Sequence, residues 1–201
     1  MLSLLAIGIS YLRLQTQREQ QQTMETAHKT VVEVEDHDST GDSITVTLSN
    51  NGQGTAKDLE LICDLDVVGE PAVDPEPARV QLCRTDDGDT TRNSSSIRAG
   101  QTTIDFEARA KLGVNDKNNN SYDLSFQAAL SDIQTPNVDE IELKLTVQST
   151  DLMGTEEEEE VFNEPCICAV TDLPQRPTLE TVIENRKHST LTEPEIETQP
   201  T

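Results

Sequence analysis

From residue 30 to about residue 162, apolar side chains fall mostly at every second position, the period of a strand with one buried face. Val32 and Val34 open the pattern, followed by Ile44, Val46 and Leu48, then Leu59, Leu61, Cys63 and Leu65. After a loop rich in Pro and Asp come Val80 and Leu82. Ile104, Phe106, Ala108, Ala110 and Leu112 form one long run, and Tyr122, Leu124, Phe126 and Ala128 another. Ile141, Leu143, Leu145 and Val147 alternate most clearly. Between the runs lie turn signals: Asn50-Asn51-Gly52-Gln53-Gly54, Ala99-Gly100-Gln101 and a polar stretch at residues 115–120. No helical period shows in this stretch. The pattern predicts an all-β domain, an antiparallel sandwich of about seven short strands with one face of each sheet in water. About 130 residues suffice for such a core.

The turn after Ile44–Asn50 has a specific chemistry. Asn51-Gly52 can supply positive φ for a tight reversal, and Gly54 gives a second permissive position. Ala56 then opens the next strand as a small residue past which backbone can run closely. The segment ITVTLSNNGQGTAKDL, with Asn50, Gly52 and Ala56 in an N-x-G-x-x-x-A pattern, resembles a strand-turn-strand of the cell-adhesion-related (CARDB-type) immunoglobulin-like domains of bacteria and halophilic archaea. LTVQSTDLMG, with Asp151 and Gly154 in its turn, is similar to a late strand and turn of the same domains. The resemblance covers about a third of the chain. It implies an immunoglobulin-like sandwich, often surface-linked, and brings no catalytic residues with it.

The ends of the chain differ from its middle. Residues 1–12, MLSLLAIGISYL, are apolar apart from two Ser and a Tyr, and Arg13 closes the run. Spanning a bilayer takes about 20 apolar residues. No Lys or Arg precedes the run and no small-residue cleavage site follows it, so a cleaved signal is disfavoured. The reading adopted is a hydrophobic membrane anchor over residues 1–14 with an abbreviated upstream end, then a polar helical stalk over 15–29. A short helix lying on a surface is the alternative. Arg13 and Arg18 lie on the carboxyl side and favour a cytoplasmic position for the rest of the chain. The sandwich is assigned to residues 30–170. From residue 171 to 201, Pro174, Pro177, Pro194 and Pro200 amid Glu and Thr predict a disordered acidic tail. Within it, TLETVIENRK places Leu179, Val182 and Ile183 on one helical face, too short to persist alone, so it either folds on docking or is random tail.

Charge changes the picture of the surroundings. The 201 residues carry 38 acidic and 15 basic side chains, a formal net charge of −23, with 2% aromatic residues and no Trp. Nucleic acid is excluded as a bulk electrostatic partner, because phosphate binding needs cations to displace counterions. Self-repulsion at this charge opposes a compact state and is screened over ~10 Å at 0.1 M salt but only ~3 Å at 1 M. Abundant Asp, Glu and Thr, Arg over Lys, and scarce aromatics resemble proteins of extremely halophilic archaea; an ordinary acidic protein is the alternative.

Candidate chemistry is thin. Cys63, Cys83, Cys166 and Cys168 allow three disulfide connectivities. Cys63 shares the inward row of Leu59, Leu61 and Leu65, whereas Cys83 has the opposite parity to Val80 and Leu82, which disfavours a simple bridge between them. Cys166 and Cys168 project from one face of a strand and are candidates for a soft metal, yet zinc wants four ligands, and His28, His37 and His188 lie far from them in sequence. Small buried hydrophobes are the preferred reading of all four. Asp116, Asn118 and Asn120 begin like a calcium loop, but Ser121 stands where Gly is needed and Gln127 where Glu is needed. Asp86-Asp87-Gly88-Asp89 reads as a solvated turn, and the run Glu156–Glu160 as a solvated edge or loop. Asn93 and Asn119 match the glycosylation pattern in expected loops. No phosphate loop, zinc-protease motif or activated nucleophile is present. The expectation is a membrane-tethered binding or structural module with an unidentified protein partner, no catalytic residues and no cofactor. A secreted adhesion domain with disulfides and a Cys-based metal or redox module are the rivals.

Overall fold

The computed structural model describes residues 15–18, 28–85, 95–115 and 121–189. Its body is mostly β, with every strand pairing antiparallel. The alternating runs become strands in register. β1 (Val32–Thr40) and β2 (Ser43–Asn50) form a hairpin, and β7 (Ile104–Arg109) pairs on the far side of β2, with the two-residue β6 (Cys83–Arg84) beyond it. A second sheet is built on two long strands, β3 (Lys57–Gly69) and β10 (Val138–Thr150). β5 (Ala78–Gln81) lies beyond β3, and β11 (Glu156–Glu160) and β12 (Cys166–Ala169) both pair with the other side of β10. The third sheet runs β4 (Asp74–Glu76), β8 (Lys111–Asn115), β9 (Ser121–Ser125).

Paired positions explain the core. Leu143 faces Leu65 across the β10–β3 ladder, Leu145 faces Cys63 and Val147 faces Leu61, and all six side chains are buried. In the first sheet Val46 stands opposite Phe106 and Ile44 opposite Ala108, again all buried. Paired residues project to the same side of a sheet, so each ladder presents one apolar face. The inner rows of all three sheets join a single hydrophobic cluster.

More strands form than the seven or so expected. The additions β4, β6 and β12 have two to four residues each, too few to write an alternation into the sequence. β11 is a run of Glu with no apolar row, and the single run expected over Ile104–Leu112 divides at Ala110 into β7 and β8. Pro75 sits in β4, at the edge of its sheet, where a residue lacking N–H is tolerated.

Two helices correct the reading of the chain. The run Tyr122, Leu124, Phe126, Ala128 is not one strand: β9 stops at Ser125, and α1 (Phe126–Ile133) begins. Ser125 Oγ accepts the Ala128 N–H at 3.3 Å, and Phe126, Ala129, Leu130 and Ile133 are buried at helical spacing while Ala128 is exposed. The tail expected to be disordered from residue 171 is structured through residue 189. A 3₁₀ turn at Val170–Asp172 leads to α2 (Leu179–Ser189), whose Leu179, Val182 and Ile183 are part of the core. Thr178 and Thr181 cap this helix reciprocally: the Thr181 N–H donates to Thr178 Oγ1 at 3.4 Å, and the Thr178 N–H to Thr181 Oγ1 at 2.8 Å. Apolar burial against the sheets supplies what a helix this short lacks in water.

One carboxylate anchors both helices. Asp42, in the β1–β2 turn, accepts the Leu179 N–H through Oδ1 at 3.4 Å and the Gln127 N–H through Oδ2 at 3.3 Å. Negative charge at helix N-termini is favourable. Glu180 adds a reciprocal pair with Gly41, its carboxylate accepting the Gly41 N–H at 2.7 Å and its own N–H donating to the Gly41 carbonyl at 3.0 Å.

Among the described residues no helix is long and apolar enough to cross a membrane. The expected anchor, residues 1–14, and residues 190–201 lie outside the described residues; within the expected stalk, residues 15–18 are helical.

Candidate functional site

The loop after β2 is organised by a fully buried Asn50. Its Nδ2 donates to the carbonyls of Gly54 at 2.8 Å and Ile97 at 3.2 Å, while its Oδ1 accepts the N–H groups of Gly52 at 3.0 Å and Val31 at 3.3 Å. A side-chain amide has two donors and an acceptor oxygen with two lone pairs, and here all are used. The expectation that Asn51-Gly52 supplies positive φ is corrected: among the described residues the positive-φ glycines are Gly41, Gly69, Gly100 and Gly154. Glycine is needed in this loop for space. A Cβ on Gly52 would stand 2.5 Å from the Val31 nitrogen, and one on Gly54 only 2.0 Å from the His28 carbonyl oxygen. Residues 28–31 are strapped across the loop by the Asn51 N–H to Val31 O (2.8 Å) and the Gln53 and Gly54 N–H groups to Lys29 O (3.0 Å each). Ala56, buried, bridges Ile97 through both of its backbone groups.

This strap forms one wall of an open groove of about 320 Å³. Lys29, Thr30, Val31 and Val32 line one side; Val147 and Ser149 of β10 line the other, together with Glu157, Glu158 and Glu159 of β11. The groove lies where the outer strand of the first sheet, β1, meets the outer strand of the second, β11. Thr30 is fully buried, and its hydroxyl donates to Glu157 Oε2 at 2.9 Å, joining the two walls. Register fixes where the acidic side chains point. Ser149 pairs with Glu157 and Val147 with Glu159, and Val147 and Ser149 continue the inward row of Ile141, Leu143 and Leu145. Glu157 and Glu159 therefore stand on the inner side of their sheet. Ser149 is 1% exposed, and its hydroxyl has no hydrogen-bond partner among the described residues.

Farther along the same gap, α2 packs between β12 and β1. There Phe162 meets the His37 ring edge-on at 4.6 Å between centroids, and the Arg186 guanidinium lies 5.1 Å from the Phe162 centroid. The gap is thus filled by a helix at one end and is a groove at the other.

The cysteines lie elsewhere in chemical terms. All four are free thiols; Cys63, Cys166 and Cys168 are buried and Cys83 is half-buried. Cys166 and Cys168 do share one face of β12, covered by α2, and the Cys168 thiol donates to the Val182 carbonyl at 3.5 Å. Burial pushes the Cys63 thiol up to about 12, only partly offset by a hydrogen bond from the Lys111 backbone. Burial, with the Cys166, Asp172 and Glu140 charges adding to it, also pushes Cys168 up to about 12. Cys166 is raised by burial, against the opposing pull of Arg186, whose guanidinium approaches its sulfur at 4.0 Å. Protonated thiols are poor metal ligands and poor nucleophiles. Among the described residues no three His, Cys, Asp or Glu side chains gather as a metal site would need. Residues 86–89, 116–120, Asn93 and His188 lie outside the residues whose side chains are described.

The groove residues escaped the sequence reading because the strap and β11 are far apart in the chain. Ser149 carried the one local signal, a hydroxyl where the inward row calls for an apolar side chain. No protein-family model, curated protein or solved structure matches the chain.

Proposed function

We propose that this chain is a membrane-tethered, immunoglobulin-like β-sandwich that acts by contact with a protein partner and carries no catalytic activity of its own. Residues 1–14 are the tether, residues 15–29 the stalk, and Arg13 and Arg18 favour a cytoplasmic body. The composition suits a halophile, where molar salt screens a charge of −23. The observation that carries the reading is the groove between the outer strands β1 and β11, a concave surface with strand edges on both sides. Exposed strand edges are templates for pairing with another chain. The raised thiols of Cys63, Cys166 and Cys168 speak for packing roles over a metal or redox role.

Flotation of membranes from cells making the full chain tests the tether. The full chain is expected to float with lipid and resist carbonate extraction, while a chain starting at residue 15 stays in the soluble fraction. Equal behaviour of the two would overturn the tethered reading.

A further inference from the structure

The geometry points to the groove between residues 29–32 and β11 as a receptor for a lysine side chain, presented by an extended partner segment that adds to the free edge of β11. The inference rests on the contact-module reading above and names the partner's chemistry. Three observations converge. The first is charge: Glu157 and Glu159 stand on the groove's inner side, and Lys29 is the one cationic residue among those lining it. The second is the buried Ser149 hydroxyl, whose oxygen has no partner among the described residues and sits on the same inner face as Glu157 and Glu159. An ammonium group has three donors and no acceptor, and two carboxylates with one hydroxyl oxygen complement it. The third is shape. Val31, Val32 and Val147 give apolar walls for a four-carbon stem, and 320 Å³ is at the small end of the roughly 300–1,000 Å³ of ligand sites, the scale of one side chain.

Strand addition delivers that side chain without new machinery. β11 pairs with β10 on one side only among the described residues, so its other edge offers backbone donors and acceptors to an added strand. Alternate side chains of such a strand point to the inner side of the sheet, into the gap between β11 and β1. At the far end of the gap the chain fills the same space with its own α2, so an amphipathic insert there is already part of the architecture.

The test is a titration of the isotope-labelled full chain in detergent micelles with the capped peptide TVKVT, followed through backbone amide resonances. A peptide with norleucine for lysine is the control. Saturable shifts are expected at Thr30, Ser149, Glu157 and Glu159, absent with the norleucine peptide. The variant E157Q/E159Q is expected to bind about tenfold more weakly, and Ser149→Ala to weaken binding while leaving the melting temperature unchanged or higher, since it removes an unsatisfied hydroxyl. No saturable shift, equal shifts with norleucine, shifts confined to another edge, or unchanged affinity in E157Q/E159Q would each overturn the assignment. Those results leave the tethered-module reading standing, because flotation tests that separately.

Discussion

Asn50 shows how far a single residue carries this fold. A buried amide that satisfies two carbonyls and two N–H groups holds the 50–54 loop, the strap at residue 31 and the segment at Ile97 together. Asn50→Ala would take the side-chain partner from the buried Gly54 carbonyl and from the part-buried Gly52 and Val31 N–H groups, and an unmet buried group costs about 1–3 kcal/mol. A loss of about 3 kcal/mol in denaturant unfolding is expected, and one under about 0.5 kcal/mol would contradict the role. The Asn50-Gly52-Ala56 pattern was visible in the sequence, but the reason for Gly52 was not, since the clash it avoids is with Val31, which no local pattern reveals. Asp151 was legible more completely. It closes the β10–β11 turn by accepting the N–H groups of Met153 at 2.7 Å and Thr155 at 2.8 Å. The Thr155 backbone hydrogen bond, with help from Met153, Thr155 Oγ1 and Gly154, holds its carboxyl below the usual carboxylate range. Its folded pKa is thus below its unfolded one, so its contribution is complete above the unfolded value and fades as pH falls through the folded value. Asp151→Asn should flatten the acid limb of the melting-temperature profile slightly, the turn being exposed, and leave the neutral plateau with the same pH slope.

At the scale of elements, the long alternating runs translated directly into β2, β3, β7 and β10, because burial of one face fixes register and orientation together. The helices did not. Phe126 fits both a strand period starting at Tyr122 and a helical period ending at Ile133, and only the Ser125 cap and the buried Ala129 and Leu130 decide for the helix. For α2 the amphipathic face was readable, but its docking surface is assembled from β1 and β12, more than a hundred residues apart. Leu179→Ala removes a fully buried side chain and should cost about 2–5 kcal/mol. If residues 171–189 were a solvated tail, the same change would stay within about 0.5 kcal/mol in equilibrium unfolding.

For the molecule as a whole, the balance is between apolar faces that pack and a surface that repels itself. Ion pairs offset little of that repulsion: Lys144 contacts Glu160 at 2.8 Å and Arg79 contacts Glu60 at 3.9 Å, both largely exposed. Dialysis of the full chain from about 1 M to about 0.01 M salt lengthens the screening distance from ~3 to ~30 Å and should lower the melting temperature steeply. A midpoint that does not move would count against the halophilic reading.

One gap, between the outer strands of two sheets, is filled at one end by α2 and left as an acidic groove at the other, and the architecture turns on this division. Amide hydrogen exchange of the full chain in molar salt tests it most directly. The expected result is slow exchange for the α2 amides around Val182 and Ile183, approaching that of β3 and β10, with fast exchange at the alternate β11 amides that face away from β10. Unprotected α2 amides, or uniform protection along both edges of β11, would contradict it.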